Sequence, residues 1–228
     1  MSDGLRTLLR STGELLITLG LVLLLFCVYE LEITGVYTAD QQQTLDRDLV
    51  RTWSLPRTTP RGTPVPSAFA PGTGVARLYL PTLGRDQVHV VVEGVSHHDL
   101  QRGPGHYPGT ALPGQLGNLV VSGHRTTYGA PFNRLDELRT GDPVVVETAD
   151  TFWTYTVQAE RIVAPTDTQV ILPVPGRPGA VPTQALLTLT TCNPKYSAQQ
   201  RLIVSAVLSG RLSKTAGTLP PALQSTAR

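Results

Sequence analysis

The chain of 228 residues holds two cysteines, and Cys192 is the one that lies outside the N-terminal apolar segment. It closes an alternating run, Ala185 to Thr191, that reads as a β-strand. A lone thiol at a strand end is a candidate nucleophile. A free thiol titrates at about 8.5 and is mostly protonated at neutral pH, so attack requires a cationic neighbour. Arg201 follows nine residues later and opens the run Arg201 to Leu208, which reads as a second strand. The short Asn193-Pro194 connection has turn chemistry and predicts an antiparallel hairpin, with Arg201 beside Cys192. Histidine serves both as a cation and as a proton donor to a leaving amine. The stretch Asn118 to Arg125 supplies one, an apolar run that ends in Gly123-His124.

Together these residues resemble a known family. Thr188-Leu189-Thr190-Thr191-Cys192, the upstream Gly123-His124-Arg125 and the downstream Arg201 look like the catalytic motifs of sortases, the cysteine transpeptidases of Gram-positive cell surfaces. The segments Gly105-His106-Tyr107-Pro108-Gly109-Thr110 and His124 to Phe132 are similar to class E sortases of actinobacteria. The resemblance covers residues 74–210.

Elements that would position these residues follow from composition and patterning. With 19 Pro and 21 Gly against 4 Phe and 2 Trp, the chain has the make-up of a turn-rich β protein rather than a helical bundle. A net charge of +2 implies no nucleic acid or other polyanionic partner. The two cysteines lie in regions of different character, which excludes a disulfide framework. From Leu15 to Tyr29 no charge interrupts the apolar run, and Leu8, Leu9, Leu31 and Ile33 extend it. Fifteen helical residues reach only about 22 Å against a hydrocarbon core of roughly 30 Å, so the extensions and a snorkelling Arg10 close the gap. No small-x-small cleavage site follows, and Arg6 and Arg10 precede the segment while Glu30, Glu32 and Asp40 follow it. The reading is an uncleaved signal anchor with a cytoplasmic N-terminus and everything after it outside the cell.

The resulting division is a cytoplasmic 1–14, a transmembrane 15–33, a stalk and Pro-rich tether over 34–73, a catalytic domain over 74–210, and a disordered tail over 211–228. Within the stalk, Leu45, Leu49, Val50 and Trp53 have helical spacing, but a mostly solvated segment is the preferred reading. Leu55-Pro56-Arg57-Thr58-Thr59 lacks the glycine and anchor context of a sorting signal and is taken as coincidence. Strands are expected at Val75 to Pro81, Asp86 to Glu93, before His124, at Pro143 to Glu147 and at Thr151 to Val163, besides the two around Cys192. A helical turn is expected over Val95 to Gln101, a Gly and Pro loop over Arg102 to Gln115, and a short helix over Pro131 to Leu138. Seven or eight strands with little helix make an all-β fold, a closed or nearly closed barrel. The resemblance implies the eight-stranded sortase barrel, preceded by one transmembrane helix.

Other signals carry less. Cys27 reads as apolar filler in the membrane helix, His89 as structural, and the adjacent His97-His98 as surface residues with no companion ligands, so no metal site is assigned. The resemblance implies Cys192 as nucleophile, His124 as acid and Arg201 as oxyanion donor, with no cofactor. It also marks Thr191 and Tyr107 as substrate-binding residues. Thr191 would orient the histidine or the substrate through its hydroxyl. Tyr107 matches a tyrosine linked to alanine, rather than proline, as second residue of the sorting motif, and proline indeed removes the backbone N–H a phenol would bind. The implied partners are surface proteins with a C-terminal Leu-Ala/Pro-x-Thr-Gly signal, a lipid-linked peptidoglycan precursor amine, and the membrane. A cysteine endopeptidase releasing the acyl group to water shares the same residues, and a non-catalytic surface assembly module is the reading from another class.

Overall fold

Alternating apolar residues turn the strands into one closed wall. The computed structural model describes residues 3–29, 34–55, 69–214 and 218–224. Its strands are β1 (Gly74–Tyr79), β2 (Val88–Glu93), β3 (Gly105–His106), β4 (Gly117–Ser122), β5 (Pro143–Glu147), β6 (Thr151–Val163), β7 (Ala185–Asn193) and β8 (Gln200–Ser213). They close in the order β1-β2-β3-β4-β7-β8-β6-β5. The pairs β2–β3 and β4–β7 run parallel, and the remaining neighbours are antiparallel. Leu78, Val91, Leu119, Val121, Val144, Val146, Leu187, Leu189, Leu202 and Val204 turn inward and form the core with Tyr155 and Phe132. Each such side chain contributes about 1.5–3 kcal/mol by leaving water. The architecture is the eight-stranded all-β barrel expected, with short helices around it.

Two helices precede the barrel. Helix α1 (Asp3–Val28) is long and apolar enough to cross a membrane over Gly4–Val28, so it begins well before the expected 15–33 span. Helix α2 (Thr34–Ser54) corrects the solvated stalk. Leu45 and Leu49 are buried against Val90 and Val92 on the outer face of β2, with Trp53 packed beside them. Gln42 takes both backbone groups of Val90, donating to its carbonyl at 3.0 Å and accepting its N–H at 2.7 Å, and also donates to the Arg102 carbonyl at 2.8 Å. Asp46 pairs with Arg77. Residues 56–68, which include most of the Pro-rich tether and Pro56 to Thr59 of the Leu-Pro-Arg-Thr-Thr sequence, lie outside the described residues.

Three further differences are local. The loop expected over Arg102 to Gln115 contains β3, which is too short to show a period. The helix expected over Pro131 to Leu138 is a set of turns with a 3-10 segment at Leu135–Glu137, although its apolar trio Phe132, Leu135 and Leu138 is buried as the spacing indicated. Part of the expected tail is ordered: Leu212 pairs with Phe152 and Ser213 with Thr151, and a short helix α4 (Pro221–Gln224) follows. Helix α3 (His97–Arg102) starts in a capping box between Ser96 and Asp99, in the place foreseen for a helical turn.

Candidate active site

Strand register assembles the three expected residues. Strands β4 and β7 lie parallel with Ser122 opposite Thr190, so two residues further along each chain His124 and Cys192 emerge together from the same end of the barrel. Strand β8 returns antiparallel with Arg201 directly opposite Cys192. Because Leu187, Leu189, Leu202 and Val204 face the core, the period of two turns Cys192 and Arg201 to the outer face. His124, Arg125, Thr126, Thr127 and Cys192 line an open hollow of about 820 Å³, closed on one side by Tyr196, Ser197 and Ala198 of the β7–β8 loop, with Phe26 and Cys27 of α1 at its edge.

His124 sits in a partly dry setting. Its Nδ1 is 3.4 Å from the Thr127 hydroxyl, and its buried Nε2 has no protein partner among the described residues. Tyr128, held at a positive φ of 52°, packs its ring on the imidazole at 4.9 Å and 43°. Burial, followed by the charge of His97, holds the imidazole pKa below its ordinary value. His97 opens α3 and meets the Tyr128 ring edge-on at 6.0 Å.

Arg201 folds its Nη1 back onto the carbonyls of Ala198 at 3.0 Å and Gln200 at 2.9 Å. A guanidinium has five N–H donors, so Arg201 keeps others that these two carbonyls do not take up. Thr191 is buried, and its hydroxyl donates to the Gly123 carbonyl at 2.7 Å. That bond ties β7 to the peptide just ahead of His124. Tyr107 lies elsewhere: its N–H donates to Val120, four residues before His124, or about 13 Å back along β4. Its side chain is half-buried and is not among the residues lining the hollow with Cys192.

Residues given no role by the sequence have structural duties here. Asn118 accepts from Thr188 at 2.8 Å and donates to the carbonyls of Val170 and Leu172 at 3.0 and 3.1 Å, pinning the long β6–β7 connection over the sheet. Arg125, buried beside His124, pairs with Asp136 at 3.0 Å. His106 and Glu93 form a buried pair at 2.6 Å across β3 and β2. No sequence signal linked these partners, because each pair joins segments that only the barrel brings together. His89 faces a separate hollow between α2 and β2, and burial pushes its pKa down to about 4.

Comparison with known proteins fits this geometry. The family model described as "Sortase domain" matches residues 78–209, which contain Cys192, His124 and Arg201. The chain belongs to the sortase family. Sortase SrtE1 of Streptomyces coelicolor is 36% identical over 203 residues, spanning 86% of this chain and 55% of that protein. Sortase SrtE2 of the same organism is 34% identical over 204 residues, spanning 84% of this chain and 78% of the relative. The solved structure of sortase E from Streptomyces avermitilis superposes with a TM-score of 0.61 at 42% identity, covering 68% of this chain and 99% of that one. This sortase domain is thus class E-like in sequence and fold, within a chain that spans little more than half of SrtE1.

Proposed function

We propose that this protein is a membrane-anchored class E-like sortase that cleaves a Leu-Ala/Pro-x-Thr-Gly signal between Thr and Gly and transfers the threonyl carbonyl to an amine of a lipid-linked cell-wall precursor. One observation carries the reading: the β4–β7 and β7–β8 registers set His124 and Arg201 on either side of Cys192. The Cys192 thiolate adds to the threonine carbonyl, forming the C–S bond and a tetrahedral oxyanion that Arg201 N–H groups stabilise. Protonated His124 gives its proton to the glycine nitrogen, the C–N bond breaks, and a thioacyl enzyme remains. The acceptor amine then adds to the thioester, His124 takes up its proton, and Cys192 leaves as thiolate. Thr191 acts as a positioning residue through Gly123, while Tyr107 contacts the signal two residues before its threonine.

The apolar helix α1 holds the barrel on the outer face of the membrane, where surface proteins and precursor meet. Incubating the protein with a Leu-Ala-x-Thr-Gly peptide, with and without an added amine, tests this. A new amide product in proportion to the amine is the expected result. Hydrolysis alone at every amine concentration would make the enzyme an endopeptidase, and a Cys192 inert to thiol-directed reagents would point to a non-catalytic module.

A further inference from the structure

Six residue steps separate Val28, the end of α1, from Thr34, the start of α2. Even fully extended, that length of chain reaches only about 21 Å. Thr34 is fixed on the barrel, since its hydroxyl oxygen accepts the Tyr128 N–H at 3.3 Å. One turn later the Thr38 hydroxyl donates to the Gln101 carbonyl at 2.7 Å. Tyr128 is the residue whose ring lies on His124. The docked α2 therefore runs from the catalytic end, at Thr34, to the far end, where Trp53 meets Arg77 and Lys214. The apolar helix can leave the barrel only beside the catalytic hollow, and Phe26 and Cys27 do line it.

The surface at this end is unusual for one bathed in water. Val36 is 71% exposed and Tyr37 42% exposed on the first turn of α2, and Tyr196 is 81% exposed at the tip of the β7–β8 loop beside Lys195. Tyrosine concentrates at headgroup depth, where one part of the ring is apolar and the hydroxyl stays wet. Lysine adds attraction to anionic lipid.

We propose that the catalytic end of the barrel is a membrane-contacting face. Val36, Tyr37 and Tyr196 sit in the headgroup region of the bilayer, and α2 is the strap that holds the Cys192 hollow there. The inference rests on the reading of α1 as a membrane anchor. An acceptor amine borne on a lipid then meets the thioester at headgroup depth, while the protein to be attached approaches along the surface.

Fluorescence quenching by spin-labelled lipid headgroups tests this on the full chain, carrying Cys27→Ser and Cys192→Ala, in vesicles of phosphatidylcholine and phosphatidylglycerol. One dye is placed at Tyr196→Cys or at Asp150→Cys. Asp150 lies next to Thr151, which pairs with Ser213, twelve residues or about 40 Å along β8 from Arg201. Quenching several-fold stronger at position 196 than at 150 is expected. Equal quenching in protein that floats with the vesicles would overturn the proposal alone, and protein that does not float would overturn the anchor and the proposal together. Inserting about ten Gly and Ser residues between Tyr29 and Thr34 lengthens the connection. In the labelled protein it should reduce the difference, and in the chain that keeps Cys192 it should slow transfer to a lipid-borne amine several-fold, with transfer to a soluble amine unchanged; an unaltered difference would overturn the strap. The peptide and soluble-amine assay does not depend on any of these outcomes.

Discussion

Where α2 terminates, the Glu147 carboxylate is buried and fully engaged: it accepts from the Tyr79 hydroxyl, from Arg77 at 3.3 Å and from Lys214, while Trp53 lies under both cations at 5.3 and 4.4 Å. Where β4 and β7 terminate, His124 Nε2 and the Nε and Nη1 of Arg125 are buried without a protein partner among the described residues. An unpaired buried donor costs about 1–3 kcal/mol. One end of the barrel thus carries a saturated network that stabilises the fold, and the other keeps polar groups uncommitted beside the thiol. A substrate can complete the second set only because the first does not need it.

The largest effect that tests this contrast is at the catalytic end. Cys192→Ala should abolish cleavage and transfer while leaving the melting temperature almost unchanged, since Cys192 is only half-buried; residual cleavage by the pure variant would remove it as nucleophile. At the opposite end Glu147→Gln should do the reverse. It strips three partners of their shared charge and should lower stability by about 2–4 kcal/mol in urea unfolding, with the activity of the folded fraction retained. If it instead lowered kcat and left stability intact, the division of labour between the two ends would be wrong.

Smaller effects sharpen the boundary of the site. Tyr107→Phe removes one neutral hydrogen bond, worth about 0.5–1.5 kcal/mol, so the alanine-motif peptide should lose about two- to tenfold in kcat/KM relative to the proline-motif peptide. An unchanged ratio would place Tyr107 outside the binding site. The smallest effect concerns protonation. Cleavage needs His124 protonated and Cys192 as thiolate, so the rate should be bell-shaped in pH and report the pair. Burial depresses the imidazole pKa, so the limb on which His124 loses its required proton lies below the ordinary histidine range. His97→Ala removes the second, like-charge contribution, so that limb should move up in pH. A limb that stayed in place would mean burial alone sets it.

The strands, and the gathering of Cys192, His124 and Arg201 at neighbouring strand ends, were legible because a period of two and a strand-end thiol are local signals. The bounds of β5 and β6 coincide with the runs Pro143 to Glu147 and Thr151 to Val163 expected as strands. Helix α2 was partly visible: Leu45, Leu49 and Trp53 showed the helical spacing, but these few apolar positions in 21 residues did not predict docking. Its seat is made as much by Gln42, Thr38 and Asp46, and hydropathy does not register polar bonds to a distant strand. The hydroxyl of Thr191 was expected to orient the histidine or the substrate; the partner it has, the Gly123 carbonyl, is 68 residues away and appears only once β4 and β7 are paired. Leu212 and Ser213 extended the last strand into what composition marked as tail, because Phe152 and Thr151 offered their backbone, and Lys214 beyond it donates its N–H to the Asp150 carbonyl.

The parallel register of β4 and β7 has a further consequence. A slip of one residue between them would carry His124 about 3.3 Å along the sheet and turn it to the opposite face, so the dyad cannot be adjusted by degrees. Cys192 and His124 are matched by counting: each stands two positions beyond the paired Thr190 and Ser122. The chain can vary the lengths of the connections at 125–142 and 164–184 without disturbing that count. Insertion or deletion of a single residue within 118–124 or 186–192 would break it, which makes the spacing itself, as much as the side chains, the heritable unit of this active site.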